Sequence, residues 1–171
     1  RDLAVLESLS AVGVALRPVD FPGDFPLTAL RLILSAEAAA SFDTLTRSGR
    51  DDLLLEQEED NWPNTFRVAR LIPAVEYIQA NRARAMLITA LDEAWSDVDV
   101  VVTPTLANDV VLATNLSGHP VVVLPNGFRA DGTPSSISFV GGLWKDSEAL
   151  HVARVFQETT GYHLRRPPLF S

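Results

Sequence analysis

Asp99-Val100-Val101-Val102-Thr103 decides how this chain is read. The run is short, β-branched and free of polar alternation, which is the pattern of a strand buried on both faces. Pro104 should stop it, because proline has no N–H to give to a ladder. Pro120-Val121-Val122-Val123-Leu124 has the same texture, and Ser136-Ile137-Ser138-Phe139-Val140 reads as a third strand. Asn126 to Pro134 separates these two and carries the turn signal Asp131-Gly132. The second and third strands should therefore be antiparallel neighbours.

Helical patterns surround this core. Leu3, Leu6, Leu9 and Val12 recur near helical spacing, and Gly13 is placed to end that helix. Val14 to Val19 reads as a further short strand, and Pro22, Gly23 and Pro26 as a loop. One long helix is expected from Leu27 to Thr46, with Leu30, Leu34, Ala38, Ser41 and Leu45 on one face. Asp51, Asp52, Glu56, Glu58, Glu59 and Asp60 lack calcium-loop spacing and read as a solvated face around the apolar turn Leu53-Leu54-Leu55. Asn64 to Trp95 is helical with a break at Pro73. Asp146-Ser147-Glu148 should cap a last helix with Ala149, Val152, Ala153 and Phe156 on one side and Gly161 at its end. Arg165-Arg166-Pro167-Pro168 cannot continue it. Apolar strands among amphipathic helices give an α/β layered architecture, with residues 1–171 as a single domain or part of one.

Composition narrows the function classes. Of 171 residues, 47% are hydrophobic and 21% charged, and the net charge is −8. So acidic a surface repels phosphate, which argues against nucleic acid as a partner. No apolar run approaches the ~20 residues a membrane helix needs, so no membrane partner is expected. With no cysteine there is no disulfide, thiolate or cysteine-bound zinc here, which fits a cytoplasmic setting. His119, His151 and His163 lack the spacing of helical metal ligands, so no metal is expected. Arg1-Asp2-Leu3-Ala4-Val5-Leu6 has no initiator methionine and no signal-peptide layout, and reads as the interior of a longer chain.

Several segments, taken in order, resemble one family. They are Ile72-Pro73-Ala74-Val75-Glu76-Tyr77-Ile78-Gln79-Ala80-Asn81-Arg82-Ala83-Arg84, then Asp99 to Thr105, then Thr114-Asn115-Leu116-Ser117-Gly118-His119-Pro120 leading into Leu124-Pro125-Asn126-Gly127-Phe128. Gly132-Thr133-Pro134, Ile137 to Gly141, the helix holding Ala153 to Gln157, and His163 with the Arg165–Pro168 tail complete the series. Together they resemble the C-terminal portion of the amidase signature family. That resemblance implies a large mixed sheet wrapped in helices and hydrolysis or transfer of a carboxamide. It implies a lysine that activates a serine, which deprotonates a second, nucleophilic serine, without a cofactor. An amide is a poor electrophile, so an alkoxide-like nucleophile and an oxyanion site are needed. The family's lysine and its Gly/Ser-rich stretch lie ahead of the matched part. No catalytic residue is therefore expected in this chain, and none of the family's turnover from it alone.

Two look-alikes fail on local chemistry. Ser135-Ser136 follows Pro134 and opens a strand, with no flanking glycines to shape an oxyanion site. Lys145, the single lysine, sits in the polar run Lys145-Asp146-Ser147-Glu148, whereas a catalytic lysine must be buried to stay neutral. His119, before a proline and with no visible acid partner, reads as a loop or core hydrogen-bonder.

The candidate substrate contacts are Thr103, Thr105, Asn108, Asp109 and Asn115, expected in a loop after a buried strand, where α/β sheets usually meet ligands. The alternative is that they satisfy loop backbone groups or face water. In family members that use glutamine, an acidic residue shortly before the Asn-Leu-small-Gly segment contacts the substrate amine. Asp109 stands near that position, one residue short of the family spacing to Asn115. Glu37, on the apolar side of its helix, should be a partly buried carboxylate paired with an arginine, and Trp62, Trp95 and Trp144 core or interface anchors. The partner implied is a small-molecule amide, with self-association through uncovered strands if the sheet is incomplete. Two other parents stay open: the amidase-like subunit of a tRNA-dependent amidotransferase, and a non-enzymatic module built on the same fold.

Overall fold

The computed structural model describes residues 2–23 and 25–167; Pro168 of the tail lies outside them. In order, the elements are α1 (Asp2–Ala11), α2 (Leu27–Ser41), α3 (Asp43–Arg47), a 3-10 turn (Arg50–Leu53), α4 (Trp62–Ala69), α5 (Ala74–Ala94), β1 (Val100–Pro104), α6 (Asn108–Ser117), β2 (Val121–Phe128), β3 (Pro134–Gly141), α7 (Asp146–Thr160) and a 3-10 turn at Tyr162–Leu164. The described residues up to Gly23 and from Ile88 onward form one compact unit, and residues 25–87 form another.

In the first unit the three strands make one antiparallel sheet in the order β1-β3-β2. Helices cover a sheet, as expected; the strands present are all antiparallel, because β3 returns from β2 through a hairpin and takes β1 on its other side. The hairpin turns where Asp131-Gly132 predicts. Arg129 donates its N–H to the Thr133 carbonyl at 2.8 Å, Gly132 has φ +83°, and Thr133 donates its N–H and hydroxyl to the Asp131 carboxylate. A bulge between Pro125 and Gly127 shifts the register there, and Gly127 takes φ +119°, open to glycine without strain.

Side chains alternate across the sheet, and the two faces fare differently. Ile137 and Phe139 of β3 pack with Val5 and Leu9 of α1 and with Ala153 and Phe156 of α7. Val100, Val102, Val122 and Leu124 flank that core. On the other face Val101 and Val140 are buried, but Val121 and Val123 are 39% and 50% exposed. The second strand is therefore not buried on both faces. It is an outer strand of the sheet, as β1 is, and a β-branched run alone does not distinguish an outer strand from a central one.

Other expectations also shift. Val14 to Val19 forms no strand: Pro18 lacks a donor, and Val14 bonds back to the Leu9 carbonyl at 3.1 Å. Asp146, Ser147 and Glu148 lie inside the first turn of α7 rather than capping it, and Lys145 occupies the cap position with no side-chain bond. Gly161 ends α7 at φ +61°. Trp95 is buried against Phe21 and His119, but Trp144 is 94% exposed at φ +65° and anchors no core.

In the second unit α2 buries Leu27, Leu30, Ile33 and Ala39, and α4 buries Pro63, Phe66 and Ala69. The long helix expected to Thr46 breaks at Phe42. Ser41 donates its hydroxyl to the Glu37 carbonyl at 2.9 Å, Phe42 leaves helical geometry, and its ring stacks on Phe66 at 4.8 Å. Glu37 is exposed and accepts the Tyr77 hydroxyl at 3.0 Å rather than pairing with an arginine. Asp51, expected in solvent, is 2% exposed. Arg67 reaches it with Nε at 2.6 Å, Asp52 at 2.7 Å and Gln57 at 3.2 Å, while Gln57 donates to the Asp51 and Leu54 carbonyls. The acidic run thus includes a buried carboxylate held by an arginine.

Candidate functional site

β1 and β3 bring three hydroxyls together. Thr103 stands opposite Ser138 in the register, and Ser138 donates to Thr105 Oγ1 at 3.0 Å. Thr103 and Thr105 are half-buried, and Ser138 is 4% exposed. Ser138 is the member the sequence reading missed. Its signal was the alternation Ser136-Ile137-Ser138-Phe139: the apolar pair fills the core, so the serines must face the other way.

The loop expected after β1 is short, and α6 begins at Asn108. Asn108 thus starts a helix rather than lying in a loop, and its side chain lies outside the described residues. Asp109 is exposed in the first turn, where a carboxylate suits the helix dipole. Asn115 is exposed near the other end. The two are six positions apart, roughly 9 Å along the axis and about a third of a turn apart in direction, so they do not share one face. The helix escaped notice because Val110, Val111, Thr114 and two asparagines have low helix propensity. Burial of Ala113 and Leu116 sustains it, and Gly118 ends it at φ +82°.

Of the other nucleophile-type groups, Ser135 and Ser117 are bonded into the fold and Lys145 faces solvent. Ser135 is buried, donates to Asn126 Oδ1 at 2.7 Å and lies 3.2 Å from the Gly127 carbonyl. Lys145 is exposed. Ser117 and His119 do pair, with Oγ 2.7 Å from Nδ1, but both are buried at the end of α6 and the imidazole stands edge-on to Trp95. Burial lowers the His119 pKa below its ordinary 6.5, with the Asp92 charge pulling the other way. His119 is a core hydrogen-bonder. Among the described residues no cluster of His, Asp and Glu is fit to hold a metal ion. Among them, too, no helix is long and apolar enough to cross a membrane.

No family model matches the chain. A glutamyl-tRNA(Gln) amidotransferase subunit of Synechococcus elongatus is 23% identical over 205 residues, covering 97% of this chain and 43% of its own length. The putative amidase AmiD of Mycobacterium bovis is 30% identical over 120 residues, covering 57% of this chain and 25% of its own. A bacterial aryl acylamidase of the amidase signature enzymes superposes with a TM-score of 0.71 at 16% identity, covering 95% of this chain and 40% of its own. The chain resembles the amidase signature enzymes in sequence and in fold. It spans less than half the length of each of these relatives. Among the described residues, Thr103 and Thr105 of the expected site group lie with the additional hydroxyl of Ser138.

Proposed function

We propose that the chain is part of an amidase that hydrolyses carboxamide bonds of small molecules in the cytoplasm. In this reading the nucleophile and its activating lysine come from outside these residues. Thr103, Thr105 and Ser138 line a wall of the substrate cleft, and Asp109 and Asn115 stand beyond them on α6. The observation that carries the reading is that 95% of this chain fits an aryl acylamidase fold while its own lysine is exposed and its buried serines are bonded into the fold. A binding wall without a nucleophile is what such a segment should look like.

A panel of carboxamides offered to the 171-residue chain, and to the same chain joined to the polypeptide encoded upstream of Arg1, tests this. No turnover is expected from the chain alone, and serine-dependent turnover from the longer protein. Turnover by the chain alone that disappears in Ser135→Ala or Ser136→Ala would overturn the reading. The open β2 face bearing Val121 and Val123 would make the isolated chain self-associate, which sedimentation velocity reads directly.

A second reading has its own support. The similarity to the amidotransferase subunit reaches 97% of this chain, against 57% for the amidase. In that case the longer protein would hydrolyse glutamine only with partner subunits present, and would leave other carboxamides intact.

A further inference from the structure

Three aromatic rings of the second unit form a stack that reaches its surface. Phe66 of α4 is 4% exposed and stacks on both others, at 4.8 Å from the ring of Phe42 and 5.6 Å from that of Trp62. The interplanar angles are 24° and 29°. Trp62 and Phe66 stand one helical turn apart and share a face of α4. Stacking on Phe66 uses one face of each outer ring, and Phe42 and Trp62 stay 49% and 52% exposed.

The surroundings decide what such a platform can take. Glu58, Glu59 and Asp60 form the turn that leads into α4, and all three are exposed. Asn61 donates its N–H to the Glu58 carbonyl at 3.0 Å, and Asn64 donates its side-chain amide to the Glu59 carbonyl at 2.9 Å. These bonds hold the acidic turn at the Trp62 end of the stack. Among the described residues none of its three carboxylates has an ion pair, because Arg47, Arg67 and Arg70 are held by Asp43, Asp51 and Asp52. Nor does a cation lie over these rings: the cation–π contact found among the described residues is Arg165 on Tyr162. Open π-faces and unneutralised carboxylates attract the same group, a cation that can also pack flat.

We propose that the Phe42–Phe66–Trp62 stack docks an arginine-bearing segment of a partner protein. A guanidinium is planar, so it lies on a ring while its N–H groups reach carboxylates beside it. The other occupants fail on charge. An anionic lipid surface meets like charge here. A second copy of this chain, with net charge −8, brings the same acidic turn to the patch. A purely apolar partner leaves the carboxylates at its rim unanswered. The inference uses residues 42–66 alone and does not rest on the amidase reading.

The probe is a nine-residue peptide of alternating serine and arginine. Its control carries citrulline, which keeps the shape and loses the charge, at every arginine. Binding to the 171-residue chain is read by NMR from the indole N–H signals of Trp62, Trp95 and Trp144. The Trp62 signal should shift with the arginine peptide while the other two stay in place. The citrulline peptide should bind roughly tenfold more weakly. Trp62→Leu keeps an apolar contact for Phe66 but has no π-face, and should weaken the arginine peptide roughly five- to tenfold. Phe42→Leu should act in the same direction and serves where Trp62→Leu moves the Trp95 signal and so disturbs the fold. Glu58→Gln/Glu59→Gln/Asp60→Asn should weaken binding and flatten its dependence on salt. No shift of Trp62, equal binding of the two peptides, full affinity in both leucine variants, or a shift confined to Trp144 would each overturn the inference. A Trp62 signal that moves with protein concentration in the absence of peptide would overturn it too, by placing a second copy of the chain on the stack. Turnover of carboxamides by the longer protein bears on none of these outcomes, so the two readings stand or fall separately.

Discussion

Asn126 donates its side-chain amide to the Asp2 carboxylate at 2.9 Å, tying the start of α1 to the β2 bulge across 124 residues of sequence. The same amide accepts the Ser135 hydroxyl through its oxygen, so one buried side chain joins helix, bulge and hairpin. Such a bridge matters because a half-satisfied buried polar group is expensive. Asn126→Ala should lower stability by roughly 1–3 kcal/mol in chemical denaturation. Asn126→Asp should lose more at neutral pH, since it sets two carboxylates against each other, and recover part of the loss on acidification. Equal stability of the two variants across that pH range would show that the Asp2 contact contributes nothing.

Asp51 and Arg67 form a different kind of pair. The carboxylate is buried, and the guanidinium, about one-third exposed, binds it through Nε at 2.6 Å. Removing the arginine strands a buried charge. Arg67→Met should therefore destabilise by roughly 2–3 kcal/mol, less than a fully buried pair because water still reaches the arginine side. The double variant Asp51→Leu/Arg67→Met should regain a large share of that loss. A double variant less stable than Arg67→Met would mean that packing, not the stranded charge, sets the effect.

How far the sequence reached follows from what each signal encodes. The β-branched runs at 100–103 and 121–124, and the turn at Asp131-Gly132, are local, and they place the strands and the hairpin. Exposure of Val121 and Val123 is not local: it depends on what packs over that face of β2. Asp51 read as solvated because its neighbours in sequence are acidic, and its partner lies 16 residues away on α4. At the site, Thr103 and Thr105 were legible from the end of a strand, but Ser138 required the pairing register. Asn108, Asp109 and Asn115 were read as loop residues because a helix made of weak helix formers is held by burial rather than by propensity.

Trp144 offers a test of backbone strain. Among the described residues it is the non-glycine residue with positive φ, +65°, and its side chain is almost fully exposed (94%), so little packing repays the conformation. A left-handed backbone costs an ordinary L-residue roughly 1–2 kcal/mol, and glycine almost nothing. Trp144→Gly should be more stable than Trp144→Ala by about 1 kcal/mol, read as a shift in denaturation midpoint. If the two variants match, the turn before α7 does not hold the left-handed conformation in solution.

His119 should make stability depend on pH in a definite sense. Burial lowers its folded pKa below the ordinary 6.5, and Asp92 only partly opposes the shift. The unfolded chain then takes up the proton first as pH falls, so protonation favours unfolding. The contribution is complete above the unfolded value and drains away between about pH 6.5 and the lower folded pKa. His119→Gln keeps a polar partner within reach of the Ser117 hydroxyl but cannot titrate. The stability difference between the native chain and His119→Gln should therefore shrink on acidification from about pH 7.5 to about pH 5.5, as other groups cancel in the comparison. A difference that stays flat, or grows as the solution is acidified, would place His119 in contact with water or with a stabilising negative charge instead of in an apolar core beside Trp95.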